Sequence, residues 1–358
     1  MTTIHQLTAG YTHGDAISNE VRTLAGIFRS WGCDTTVYSE KRRVPPDLRN
    51  EVRDIADDFA AIKPDDIAFL HLSIGSPVND AFARLQCKKA VLYHNITPAD
   101  YFRGVKEATA SALAKGREQA KRLAGVADVV LACSRYNAEE LEAWGYGPAA
   151  VLPLGLDFKM LRGTPDRATM RKYRDGLVNV LFVGRCAPNK RIEDLLNAFH
   201  YFQKYVQPAS RLIHVGSIGG MEQYHALLLT HSRNLGLNNV HFLQGVPQAE
   251  LNALYEVSRV FLCMSEHEGF CIPLIEAMVH RVPVVAYAAG AVPETLDGAG
   301  VLFREKRFDL IAETMGRLVE DAALRDAVLK GQDERLARYE KQDLGAVLRQ
   351  QLAPLLGG

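Results

Sequence analysis

Short apolar runs rich in β-branched residues alternate with helix-periodic segments along nearly the whole chain, and the series starts twice. Runs of this length are strands, and their continuous apolar character is that of parallel sheets covered on both faces. In the first series residues 4–8 form a strand, and Ile17, Val21, Leu24, Ala25 and Phe28 then fall on one helical face. Gly32 stops that helix, and TTVY at 35–38 makes a second strand. IAFLHL (67–72), AVLYHN (90–95), ADVVLAC (127–133) and AVLPL (150–154) continue the series, with helical segments around 47–62, 104–124 and 136–143. A charged, weakly periodic stretch follows at 155–177. The second series runs VNVLFVG (178–184), helix 190–206, RLIHVG (211–216), helix 221–235, NVHFLQG (239–245), helix 248–257 and RVFLCM (259–264). Helix 273–280, VPVVAY (282–287) and two or three helices from about 307 complete it.

The pattern predicts an α/β protein of two Rossmann-like doubly wound domains facing each other across a cleft. A chain of 358 residues is too long for one ordinary core, which agrees with two domains. The expected boundaries are 1–160, a linker at 161–177, and 178–337, with a final helix at about 338–358 crossing back onto the first domain. Loops at 9–16, 94–98, 185–190, 216–220 and 265–272 follow strands, where ligands bind in open parallel sheets.

Forty-two Lys plus Arg balance forty-two Asp plus Glu, which argues against a nucleic-acid partner. Six cysteines show neither CxxC pairing nor metal-type spacing with histidine, so buried, reduced thiols and a cytoplasmic location are expected. The N-terminus has no charged leader, and no apolar run reaches the ~18 residues of a spanning helix. The segment 104–124 is basic. As a solvated face it needs no partner, and as a membrane-facing one it favours anionic lipid at the inner face of the membrane.

The stretch SEHEGFCIPLIEAM at 265–278 places two carboxylates, Glu268 and Glu276, around a glycine turn and a proline. Pro273 suits the first position of a helix, which leaves the N–H groups of Leu274 and Ile275 at a positive helix end that favours phosphate. Glu276, one turn in, can accept both hydroxyls of a ribose diol, one per oxygen. Gly269 permits close backbone approach, and Glu268 would face a neighbouring sugar ring. Taken alone, the two glutamates equally suit a solvated loop acid and a helix-start acid. Lys190 and Arg191 lie at a predicted helix start, where cations are unfavourable, and that makes a bound anion the better explanation.

Residues 268–276, E-G-F-C-I-P-L-I-E, resemble the E-x7-E signature of retaining glycosyltransferases of family 4, which have the GT-B fold. The resemblance extends through VGRCAPNKR, HVGSIGG, EAMVHRVPVVAY and GAVPETLDGAGVLF, and in the first half through HGDAISN and YHNITP. It implies that Arg185 and Lys190 clasp the donor diphosphate and that Glu276 binds the ribose. Glu268 would bind the transferred sugar, helped by backbone groups of Gly269, Phe270 and Cys271. Gly14 would admit the diphosphate, His94 would contact the sugar, and Val246 would cradle the base through main chain. His94 also suits a hydrogen-bonded structural role. Glu294 matches a family glutamate to which the sequence assigns no role. Members generally use no bound metal and no further cofactor, in keeping with the missing DxD triplet. The transfer would retain anomeric configuration.

Asp15 stands where many members have a second glycine, and it could bind an acceptor hydroxyl or cap the helix that follows. Cys271 and Arg281 also replace commoner glycines. The expected donor is GDP-mannose, with a UDP-hexose as the alternative, and the acceptor a glycan or lipid-linked glycan of surface polysaccharide synthesis. A non-catalytic nucleotide-sugar binder is the competing reading. An NAD-dependent oxidoreductase is disfavoured because no strand leads into G-x-G-x-x-G, and a phosphate-loop NTPase because GxxxxGK[ST] is missing.

Overall fold

The computed structural model describes residues 2–56 and 61–356. The chain divides into two compact units, one of Met1–Arg103, Glu107–Leu156 and Asp343–Gly358, the other of Gly104–Lys106 and Asp157–Gln342.

The first unit contains β1 (Thr3–Thr8), α1 (Ala16–Ser30), β2 (Asp34–Ser39), β3 (Val52–Asp54), β4 (Ile67–Leu72) and α2 (Pro77–Arg84). It continues with β5 (Lys88–Tyr93), α3 (Glu107–Arg122), β6 (Val129–Ala132), α4 (Arg135–Ala143) and β7 (Ala150–Val151). Every strand pairing is parallel, in the order β3-β2-β1-β4-β5-β6-β7. Asp15 caps α1 through Oδ2, which accepts from Ser18 N at 2.9 Å and Ser18 Oγ at 2.8 Å. The apolar face read from the sequence, with Val21, Leu24 and Phe28 fully buried, is the face α1 turns to the sheet.

One expectation fails here, and one helix went unforeseen. The helix predicted at 47–62 is a 3-10 turn at Pro46–Glu51 running into β3, and residues 57–60 lie outside the described residues. Val44, Leu48 and Val52 have helical spacing, but they reach a shared core with Tyr11, Val21 and Val37 through a turn and a strand. Val52 pairs opposite Val37, as suits a β-branched residue after the two prolines at 45 and 46. Helix α2 was not anticipated, although Ser76 caps it through a 3.2 Å bond from Val78 N and Pro77 occupies its first turn.

The main segment of the second unit opens with α5 (Phe158–Leu161), in the charged stretch at 155–177, and α6 (Arg167–Tyr173), inside the segment expected to be a linker. Asp166 caps α6 and donates its N–H to the Ala249 carbonyl at 2.8 Å, while Asn252 Nδ2 donates to the Met160 and Gly163 carbonyls at 3.2 and 3.0 Å. This charged stretch is therefore docked, because its backbone groups find partners on the neighbouring helix.

The unit continues with β8 (Val178–Val183), α7 (Ile192–Tyr201), β9 (Ser210–Val215), α8 (Glu222–Asn234), β10 (Val240–Leu243), α9 (Gln248–Glu256), β11 (Ser258–Cys263) and α10 (Ile272–Val279). Then follow β12 (Val284–Tyr287), α11 (Val292–Leu296), β13 (Val301–Phe303), α12 (Phe308–Glu320) and α13 (Ala322–Glu340). Its six strands are parallel in the order β10-β9-β8-β11-β12-β13. The last helix, α14 (Leu344–Leu356), belongs to the first unit and buries Leu348, Leu352 and Leu355 against Ile4, Phe69, Leu92 and Leu131. Lys88 Nζ donates to the Leu355 carbonyl at 2.7 Å and ties that end to β5. Among the described residues no helix is long and apolar enough to cross a membrane.

Candidate active site

In the second unit the strand order reverses between β8 and β11, so the loops leaving their carboxyl ends are neighbours. The first carries Arg185 and the Pro188–Lys190 turn, and the second carries Ser265 to Cys271. Asn189 joins them: its carbonyl accepts from Glu266 N at 2.9 Å, and its Nδ2 donates to the His267 carbonyl at 3.0 Å. Lys190 Nζ then donates to both carboxylate oxygens of Glu268, each at 2.6 Å. Glu268 is only 8% exposed. Burial works against the Lys190 ammonium, but the adjacent Glu268 carboxylate outweighs it and holds the lysine pKa above its ordinary value.

This pairing corrects the argument that a cation at a helix start must await an anion. Lys190 is matched by Glu268, and Arg191, in the left-handed region at φ 50°, pairs with Glu193, Asp194 and Glu266. Lys306 closes the network with 2.6 Å bonds to Asp194 and Glu266. Arg185 is exposed and makes no ion pair among the described residues.

The Glu268 turn is held from behind. Gly290, at φ 56°, lies so close that a Cβ there would sit 2.6 Å from the Glu268 carbonyl oxygen. That same oxygen accepts from Ala291 N at 2.9 Å. Phe270 is buried edge-on against Tyr339, and its carbonyl accepts from the Thr295 hydroxyl. Gly269 between them is half-buried.

Cys271 takes the left-handed conformation at φ 74° and precedes α10. The carbonyl of Cys271 accepts from Leu274 N at 3.1 Å, so the Leu274 N–H expected to be free for phosphate is already used. Glu276 lies one turn in. Tyr255 donates its hydroxyl to Glu276 Oε2 at 2.7 Å and stacks at 5.2 Å on His280. Burial raises the Glu276 pKa, and the Tyr255 hydrogen bond opposes the rise. Tyr255 thus engages one carboxylate oxygen.

Cys263 Sγ, Cys271 Sγ and a Glu268 oxygen lie within 4.8 Å of one another. The two cysteines stand eight positions apart, with seven residues between them, so no sequence spacing marks this group. These are metal-ligating atom types, but the Lys190 ammonium already occupies the Glu268 carboxylate. All six cysteines are free, and four of them are buried.

The remaining expected residues are dispersed. Val246 follows Gly245 beyond β10, two strands from β8, and is half-buried. Gly14, Asp15 and His94 belong to the first unit. Gly14 has φ 66° with open space around its Cα, and the Asp15 carboxylate caps α1 through Oδ2, one of the two roles read for it. His94 Nε2 lies 3.0 Å from Nδ1 of His71, and Nε2 of His71 lies 2.9 Å from Gln6 Oε1. Sequence reasoning missed Asn189, Tyr255 and Thr295, and it treated His71 as structural. In α3, Arg117 turns inward to the Ile96 carbonyl and to Glu140 at 2.6–2.7 Å, with its guanidinium over Trp144, so it is not part of a solvated basic face.

Two parallel doubly wound units, the second with an E-x7-E turn at its switch point, define a glycosyltransferase of GT-B architecture. The Anabaena Alr3699/HepE structure in complex with UDP and glucose superposes with a TM-score of 0.72 over 99% of both chains at 18% identity. The family model for glycosyl transferases group 1 matches residues 172–335. A GDP-mannose-dependent alpha-(1-6)-phosphatidylinositol monomannoside mannosyltransferase of Mycolicibacterium smegmatis is 32% identical over 265 residues, 69% of this chain and 67% of that one. The O-antigen chain mannosyltransferase B of Escherichia coli is 29% identical over 146 residues, 41% of this chain and 38% of that one. The chain belongs to the group 1 glycosyl transferases.

Proposed function

We propose that this protein is a retaining mannosyltransferase that moves mannose from GDP-mannose to a hydroxyl of a glycan or lipid-linked glycan in cell-surface polysaccharide synthesis. The observation that carries the proposal is the Lys190–Glu268–Glu276 constellation at the β8/β11 switch point, in a chain similar to a GDP-mannose-dependent mannosyltransferase. In this reading Glu276 accepts the ribose diol, with Tyr255 holding its Oε2. Glu268 faces the transferred hexose, and backbone groups of the 269–271 turn complete the donor pocket. Arg185 and Lys190 offset the charge that grows on the leaving diphosphate, so no bound metal is invoked. The C1–O bond to the diphosphate breaks, and a bond from C1 to the acceptor oxygen forms on the same face. The acceptor proton passes to the leaving phosphate oxygen.

Peripheral attraction to anionic lipid at the inner face of a membrane rests on Lys106, Lys115 and Arg122 in and beside α3, since Arg117 faces inward. Sedimentation with anionic and neutral vesicles tests it.

The donor is tested by thermal shift with GDP, UDP, their mannose, glucose, galactose and N-acetylglucosamine forms, and NAD. A donor of micromolar affinity at millimolar concentration adds about 4 kcal/mol of stability. A shift with GDP-mannose and its loss in Glu276→Ala is the expected result. A response confined to a UDP-sugar makes the protein a UDP-hexose transferase. Binding without slow hydrolysis or transfer makes it a non-catalytic binder.

A further inference from the structure

Three neighbouring strands of the first unit place three polar side chains in one line. Gln6 is on β1, His71 near the end of β4, and His94 just after β5. Parallel register sets the line: Thr8 pairs opposite His71, and His71 opposite Leu92. Gln6 and His71 are buried, at 0% exposure each.

The donor and acceptor roles along this line follow from one fixed end. Gln6 Nε2 is 3.0 Å from the Val21 carbonyl, which can only accept, so the amide nitrogen is the donor there. Gln6 Oε1 therefore faces His71 Nε2 at 2.9 Å, and that nitrogen must carry a proton to give it. Burial, with the neighbouring His94 adding to it, depresses the His71 pKa well below the usual value, so its ring is neutral and Nδ1 is bare. The 3.0 Å contact between His71 Nδ1 and His94 Nε2 then requires the proton to be on His94 Nε2. Burial pushes the His94 pKa down to about 3, so this ring too is neutral near pH 7. Its remaining nitrogen, Nδ1, carries a lone pair.

We infer that Gln6 and His71 are positioning residues that lock His94 in the Nε2–H tautomer, leaving Nδ1 as an acceptor for a sugar hydroxyl. The hydroxyl partner rests on the function proposed above, whereas the tautomer does not. A bare Nδ1 rejects phosphate and carboxylate oxygens, which have no proton to give it, and it selects an O–H donor. The lock also explains the otherwise unused amide of Gln6 in the sheet interior: an apolar residue there would fill the space and leave His71 free to take either tautomer.

The test uses the full chain labelled with 15N-histidine. Long-range 1H–15N correlation spectra at pH 7 report the protonation of each ring nitrogen, with His94 assigned by comparison with His94→Asn. The expected spectrum shows His71 and His94 both protonated at Nε2 and bare at Nδ1. A proton on His94 Nδ1, or a doubly protonated ring, overturns the relay. Failure of the transferase reading shows separately, as absence of transfer by the wild-type chain.

Among variants, His71→Leu and Gln6→Leu should mix the His94 tautomers and lower kcat/KM for transfer tenfold or more at unchanged GDP affinity. His71→Asn presents an amide oxygen near the position of Nδ1, and it should restore both the single tautomer and most of the activity. A single wild-type tautomer retained in both leucine variants would show that His94 is set by something other than this line.

Discussion

Replacing Glu20 by glutamine probes a buried carboxylate on α1 that meets the backbone of Gly155. Glu20 is 1% exposed, and its Oε2 accepts from Gly155 N at 2.8 Å, while no partner meets Oε1 among the described residues. Desolvation raises its pKa from 4.5 to about 7, against the lowering effect of the Gly155 hydrogen bond. The folded pKa lies above the unfolded one, so between about pH 4.5 and 7 the folded state keeps a proton that the unfolded state has released. Stability therefore falls as pH rises through that window and levels off above it. The gap between the two values, at 1.36 kcal/mol per pKa unit, sets the loss at about 3 kcal/mol. Glutamine mimics the protonated acid and keeps an oxygen for Gly155. Glu20→Gln should match wild type near pH 4.5 and exceed it by up to about 3 kcal/mol at pH 8, and groups far from the site cancel in the difference. Both tryptophans, Trp31 and Trp144, lie in the first unit. Urea unfolding followed by their fluorescence thus reports on the unit concerned. A difference between variant and wild type that stays constant from pH 4.5 to 8 refutes the reasoning.

Lys190→Ala leaves the Glu268 carboxylate buried without its ammonium and should cost about 3–5 kcal/mol; thermal denaturation measures it, and Lys190→Met with Glu268→Gln should recover most of the stability without the transfer activity. Tyr255→Phe removes the hydroxyl on Glu276 and should cost about 1.5–3 kcal/mol with weaker donor binding by calorimetry. Gly216→Ala would bring a Cβ to 2.6 Å from the Gly184 carbonyl carbon, a backbone atom with no room to yield. It should destabilise the second unit by more than about 2 kcal/mol, read as a lowered urea midpoint. Asp15→Ala removes the α1 cap and should cost about 1 kcal/mol in the same titration, with little change in donor affinity.

Strand and helix alternation was legible in the sequence because each element writes its own period. The buried runs IAFLHL and VNVLFVG, the face of α1 and the docking leucines of α14 all obey local rules. The segments misread were those where local and tertiary demands diverge: Val44, Leu48 and Val52 carry helical spacing into a turn and a strand, and residues 161–177 look like a linker but have backbone partners on α9. At the site, the chain itself supplies Gly269, the αL turn at Cys271 and the two glutamates eight residues apart. Pairing belongs to the fold. Lys190 meets Glu268 across 78 residues, Tyr255 meets Glu276 across 21, and Gln6 meets His71 across 65. Each of those contacts depends on which strands are neighbours and in what register, and strand order is settled by the packing of the whole sheet. The sequence by itself therefore determined the α/β architecture of two parallel-sheet units and the candidates for the chemistry. Only the tertiary structure decided which carboxylate holds the lysine, which oxygen of Glu276 is already engaged, and which side chains meet the ring nitrogens of His71, because those depend on distances between segments that no local period records.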